Sequence, residues 1–140
     1  MSYTNFDLVE VRTIRADHKS IYARTVIAEG TLLGFFDGAA RVADITELEA
    51  QRGTDSFFWR QSVHLRIEGD QLLYLLPTGE PDGVDFLNHN CRANARVVDQ
   101  LYVYAARAIA AGEEILADYR TFNLVSEEIP CWCPEPRCII

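Results

Sequence analysis

Strand-length runs of apolar and β-branched residues, each cut off by a turn signal, recur along this chain and point it towards small β-sheets. Leu8–Arg15 and Ser20–Ile27 read as strands. Ala28-Glu29-Gly30 is a turn, Thr31–Phe36 is a third strand, and Asp37-Gly38 closes it. Phe57–Ile67 and Gln71–Leu76 flank Glu68-Gly69-Asp70, a hairpin signal. Leu101–Ala105 and Glu114–Tyr119 are strand-like as well. Helical spacing is scarce. Val42, Ile45 and Leu48 predict a short helix over Val42–Gln51, ending near Gly53. The alanine-rich stretch Ala105–Ala111, followed by Gly112, reads locally as a helix with a glycine cap. The pattern predicts a mainly β chain. No GxGxxG follows a strand-like run, which argues against a dinucleotide-binding α/β sheet.

The chain has 140 residues, enough for one domain with its own core. Its 13 basic and 21 acidic residues give 13 − 21 = −8. So acidic a surface disfavours nucleic acid, whose phosphates need cations, and favours a basic protein partner. Met1–Asp7 has no basic start and no apolar run. No apolar stretch approaches the ~20 residues of a membrane span. The expectation is a cytoplasmic protein, with the nucleus also open, in a compartment where thiols stay reduced.

That expectation makes the cysteines informative. Cys131-Trp132-Cys133-Pro134-Glu135-Pro136-Arg137-Cys138 is CxCx₄C, and Cys91 is the one remaining cysteine. Three thiolates this close suit a tetrahedral zinc ion, and Cys91 would complete a four-thiolate set. The competing readings are unliganded thiols or a disulfide.

Two further segments stand out. Asp85-Phe86-Leu87-Asn88-His89-Asn90-Cys91-Arg92-Ala93-Asn94 packs amides and an imidazole between apolar stretches. Buried without partners they would be costly, so they cap backbone groups or hold a ligand. Gly112-Glu113-Glu114-Ile115-Leu116-Ala117-Asp118-Tyr119 ends an apolar strand in a tyrosine, which alone would read as a core or rim residue.

In order and spacing, Asn88-His89-x-Cys91-x-x-Asn94, then Gly112-Glu113-Glu114-Ile115-x-x-Asp118-Tyr119, then CxCx₄C, resemble the SET-domain family of protein lysine methyltransferases. The stretch Ser20-Ile21-Tyr22-Ala23 to Gly30 resembles the family's opening segment. The resemblance implies a SET fold over residues 1–125, in which a C-terminal segment threads a preceding loop, and a post-SET zinc segment over 126–140. On that view Ala105–Ala111 turns rather than forming a helix. It implies S-adenosylmethionine as cofactor, one structural zinc, and a lysine in a basic protein as substrate; the acidic charge and short apolar runs add the expectation of no direct nucleic-acid binding and no membrane partner. Tyr119 matches the catalytic tyrosine. Ser20, Ile21, Tyr22, Asn88, His89 and Trp132 would hold the cofactor. Phe57 and Ala117 would line the lysine channel. Cys91, Cys131, Cys133 and Cys138 would hold zinc. His18 and Ser20 stand where the family carries glycines, Asp85 where many members carry arginine, and Ala117 where an aromatic is usual. The rival reading is a catalytically silent SET fold that binds a protein partner.

Overall fold

The strand Glu114–Ala117 (β11) is the one around which the larger sheet is arranged. A computed structural model describes residues 2–50 and 62–124. The larger sheet has eight strands. These are β1 (Tyr3–Thr4), β2 (Val9–Arg15), β3 (His18–Ala23), β4 (Leu32–Phe35), β8 (Asn88–His89), β9 (Ala95–Val98), β10 (Tyr102–Ala105) and β11. Its order is β1-β4-β10-β9-β11-β3-β2, with β8 also paired to β11. The second sheet is β5 (Ala39–Asp44), β7 (Gln71–Leu76) and β6 (Val63–Glu68), in that order. The mainly β expectation holds.

The main core lies under β11. Ile115 and Ala117 pack there with Val9, Ile21, Leu33, Val84, Leu87, Val103 and Ile109, all buried. Each large aliphatic side chain removed from water contributes about 1.5–3 kcal/mol. β1 and β4 approach so closely that only glycine serves at position 34. A β-carbon there would run into the Tyr3 carbonyl and come within 2.8 Å of Val84. The second core is small, built on Leu48 and Leu72 with Ala43, Ile45 and Tyr74.

Two helix expectations are corrected. Over Val42–Gln51 the chain remains a strand through Asp44, because Val42 pairs with Leu73 of β7. The helix α1 is only Ile45–Ala50, begun where the Asp44 carboxylate accepts the Thr46 and Glu47 N–H groups. Gln51 and Gly53 lie outside the described residues. Ala105–Ala111 is no helix, since the sheet takes its backbone groups. The Ala105 N–H donates to the Thr31 carbonyl, and Ile109 bridges Ile27. The expected strand Phe57–Ile67 is β6 from Val63 onward, and its first residues, 57–61, lie outside the described residues.

The β9–β10 hairpin turns through Asp99 (φ 53°) and Gln100 (φ 64°), with the Leu101 N–H on the Val98 carbonyl. Both central residues of this turn are left-handed, as in a type I′ turn, yet neither is glycine. Side chains held in this region cost of order 1–3 kcal/mol each, so the surroundings must hold them there.

His64 on β6 joins the small sheet to the end of the described chain. It is 4% exposed, and its Nδ1 accepts the Leu124 N–H at 3.0 Å. Burial pushes its pKa from 6.5 down to about 4. Between those values the unfolded chain binds a proton that the folded chain refuses. Stability is therefore full above about pH 6.5 and falls as pH drops towards 4, by about 3 kcal/mol from this group. We predict that His64→Gln flattens the urea-unfolding free energy against pH across that window. A variant as pH-sensitive as the wild type would contradict it.

Candidate active site

The segment 88–95 wraps both edges of β11. On one edge, Leu116 and Ala117 pair in parallel with Asn88 and His89, and the Ala117 carbonyl accepts the Asn90 N–H at 3.1 Å. On the other, Ala117 pairs with Ala95, and the Asn94 N–H donates to the Leu116 carbonyl at 3.1 Å. The Asn94 side chain extends that edge. Its Nδ2 donates to the Glu114 carbonyl at 2.7 Å, and its Oδ1 accepts the Leu116 N–H at 2.8 Å. Asn94 is 3% exposed, so these bonds form away from water. The strand thus passes between two limbs of one loop, the threading that the resemblance implied.

Beyond β11 the chain turns at Asp118, which begins the 3-10 turn Tyr119–Thr121. The Arg120 guanidinium on the Asp118 carboxylate holds it below the usual carboxylate range. Tyr119 is tied back to the loop at both ends. Its N–H donates to His89 Nδ1 at 2.9 Å, and its hydroxyl donates to the Leu87 carbonyl. His89 Nδ1 acts as acceptor, which puts the imidazole proton on Nε2, 3.8 Å from Cys91 Sγ. Burial lowers the His89 pKa, the nearby Asp118 carboxylate opposing it, so the ring is neutral. The Tyr119 ring packs between His89 and Phe122, with centroids 5.4 Å away on each side.

β3 meets the same junction. Asn88 Nδ2 donates to the Lys19 carbonyl at 2.9 Å, joining β8 to β3. Ser20, where glycine was expected, is fully buried, and its hydroxyl donates to the Glu114 carboxylate at 2.6 Å. Its side chain is thus committed to β11. Ile21 belongs to the main core, and Tyr22 stacks under the Arg12 guanidinium, 4.5 Å from its ring centroid. Of these three, Ser20 and Ile21 can offer a ligand only their backbone. Asp85 also has a structural partner set. Its carboxylate accepts the Asp82 N–H and the Ser2 hydroxyl, closing the 3-10 turn Gly83–Phe86.

The family described as SET domain matches residues 18–120, well over half of the chain. The chain belongs to the SET-domain family. Curated relatives agree. The Histone-lysine N-methyltransferase ash1 of Drosophila melanogaster is 31% identical over 125 residues, 80% of this chain. Two enzymes named Histone-lysine N-methyltransferase, H3 lysine-36 specific, are similar over shorter stretches. That of Candida albicans is 41% identical over 61 residues, 39% of this chain, and that of Gibberella zeae 26% over 98 residues, 59% of it. The chain spans only 5%, 7% and 11% of the ash1, Candida and Gibberella proteins.

Within this SET domain, Asn88, His89, Cys91 and Tyr119 come together at one junction. Ala117 is 1% exposed and lies in the main core, at the β11 position paired with His89. Phe57, Trp132, Cys131, Cys133 and Cys138 lie outside the described residues, as does the segment 126–140. Three residues that position the site escaped sequence reasoning: Glu114 as the Ser20 acceptor, Leu87 as the Tyr119 acceptor, and Asn94 as a two-sided clamp. For Asn94 alone a signal was available, an amide closing an Asn-rich loop that leads directly into an apolar strand.

Proposed function

We propose that this SET domain transfers a methyl group from S-adenosylmethionine to the side-chain amine of a lysine in a basic protein. The observation that carries the reading is Tyr119, fixed by its amide to His89 and by its hydroxyl to Leu87 inside the threaded crossing. With its proton committed to a backbone carbonyl, the hydroxyl oxygen keeps its lone pairs for an incoming amine. Accepting an amine N–H there would turn the nitrogen lone pair away from Tyr119 and towards the methyl donor. Such alignment supplies most of the acceleration when the donor is already activated.

The residues present fit the cofactor. The Leu87 carbonyl and Tyr119 hydroxyl put two oxygen dipoles at the junction of β8 and the Tyr119 turn, suited to a positive sulfonium. Asn88 and His89, with the backbone of Ser20–Tyr22 and with Trp132, would hold it. When bound, it supplies an electrophilic methyl on sulfur. Phe57 and Ala117 remain the proposed channel residues. The amine must arrive neutral, although free lysine is protonated at pH 7, so an apolar approach to Tyr119 favours the reactive form. The net charge of −8 suits a basic substrate, and the relatives' names make histones the first proteins to try.

We infer further that Cys131, Cys133 and Cys138 of a post-SET segment, residues 126–140, hold one structural zinc together with Cys91 of the Asn-His-x-Cys segment. The donor set fits, with four thiolates. The His89 Nε2–H beside Cys91 Sγ is the outer partner a metal-bound thiolate commonly has.

Tyr119→Phe removes one oxygen and almost no volume, so the fold should persist. Tritiated-methyl transfer to mixed core histones should fall at least a hundredfold (about 2.7 kcal/mol of barrier), with cofactor affinity unchanged by calorimetry. Undiminished turnover would take Tyr119 out of the reaction. A wild-type chain that binds cofactor but methylates nothing would favour the silent SET fold.

For the metal, elemental analysis should give one zinc per chain in the wild type. Cys91→Ser and Cys138→Ser should lose it alike and weaken cofactor binding alike. Retention of tight zinc by Cys91→Ser alone would make Cys91 a plain core thiol.

A further inference from the structure

Gln100 occupies a position where glycine would be easier, and its side chain explains why glycine is absent. Its backbone is left-handed (φ 64°) in the β9–β10 turn. From there one nitrogen makes two bonds. Nε2 donates to the His64 carbonyl of β6 at 2.8 Å and to the Phe122 carbonyl at 2.6 Å. A side-chain amide has two N–H groups, so both bonds are whole rather than shared. Three separate pieces meet there: the hairpin of the larger sheet, the first strand of the β6–β7 hairpin, and the chain just after Tyr119.

The Phe122 end matters because of what Phe122 touches. It closes the 3-10 turn that begins at Tyr119, its N–H donating to the Tyr119 carbonyl. Its ring meets the Tyr119 ring edge-on, at 5.4 Å and 65°. Two residues on, the Leu124 N–H donates to His64 Nδ1, so His64 and Gln100 both hold the same stretch. His89 and Leu87 hold Tyr119 from the loop side. Gln100 adds a hold on the chain just after Tyr119, from a turn whose backbone is left-handed.

We propose that Gln100 is a positioning residue for methyl transfer, latching the Tyr119–Leu124 segment to the small sheet so that Phe122 fixes the tilt of the Tyr119 ring. The proposal rests on the reading of Tyr119 as the residue that orients the amine. It adds that the small sheet sets the geometry of the reacting end.

The test uses the full chain and two variants. Gln100→Gly deletes the amide while relieving the backbone, so the protein should fold with its thermal midpoint undiminished. Gln100→Asn keeps an amide and tolerates the turn, but is too short to span both carbonyls. Both should lower kcat for histone methylation roughly ten- to hundredfold, with cofactor affinity unchanged. In both, amide exchange at Asn123 and Leu124 should quicken while exchange in β7 does not. Unaltered exchange at Asn123 and Leu124 in Gln100→Gly would overturn the latch. Quickened exchange with wild-type kcat would overturn the positioning role and leave Gln100 a structural tie. Failure of the underlying reading shows separately, as a Tyr119→Phe protein that turns over like the wild type.

Discussion

Both ends of the Asn94 side-chain amide bond to the backbone of one strand, and the arrangement around Tyr119 depends on that. A strand threaded through a loop needs partners on both edges, but a loop of eight residues supplies only two short runs of backbone. Asparagine offers a donor and an acceptor spaced much like a peptide group, so a side chain completes the ladder where the main chain runs out. In water such bonds are worth about 0.5–1.5 kcal/mol each, while a buried group left without its partner costs about 1–3 kcal/mol. At 3% exposure Asn94 lies in the second regime.

Once β11 is fixed in the crossing, the other positions follow. Ala117 pairs with His89, which points the imidazole at the Tyr119 amide two residues further on. Asp118 ends the strand and starts the turn that brings the tyrosine hydroxyl back to Leu87. Ser20 ties β3 to Glu114, so the strand expected beside the cofactor is locked to the same element. A residue contributed by the loop and one contributed by the strand after it become neighbours without a long-range ion pair, through backbone groups and two neutral side chains.

Much of this was legible in the sequence. Turn-punctuated strand runs predicted a β fold, and the Asn-His-x-Cys and Gly-Glu-Glu segments marked the two parts that meet. What escaped had physical reasons. β8 is two residues long, too short to carry an alternation, and β5 was hidden because Val42, Ile45 and Leu48 share helical spacing although only Ile45 and Leu48 are helical. Ala105–Ala111 has helical propensity that the sheet overrides by taking its amides. Ser20 and Asp85, read as departures from the family's pattern, proved to have acceptors or donors of their own, Glu114 for one and Ser2 with the Asp82 amide for the other. Single-residue departures do not announce their distant partners: Glu114 lies 94 positions from Ser20 and Ser2 lies 83 from Asp85, and only the Asp82 amide is local.

The most direct measurement is native-state amide exchange at Leu116 in Asn94→Ala, with β7 of the small sheet as the internal reference. The Leu116 N–H donates to the oxygen that this substitution removes. Loss of about 1–3 kcal/mol at a buried bond corresponds to roughly ten- to hundredfold faster exchange at Leu116, and at Tyr119 with it, beyond any change at Leu72. Exchange at Leu116 and Tyr119 that only tracks Leu72, or does not change, would contradict the claim that one asparagine amide holds the crossing together.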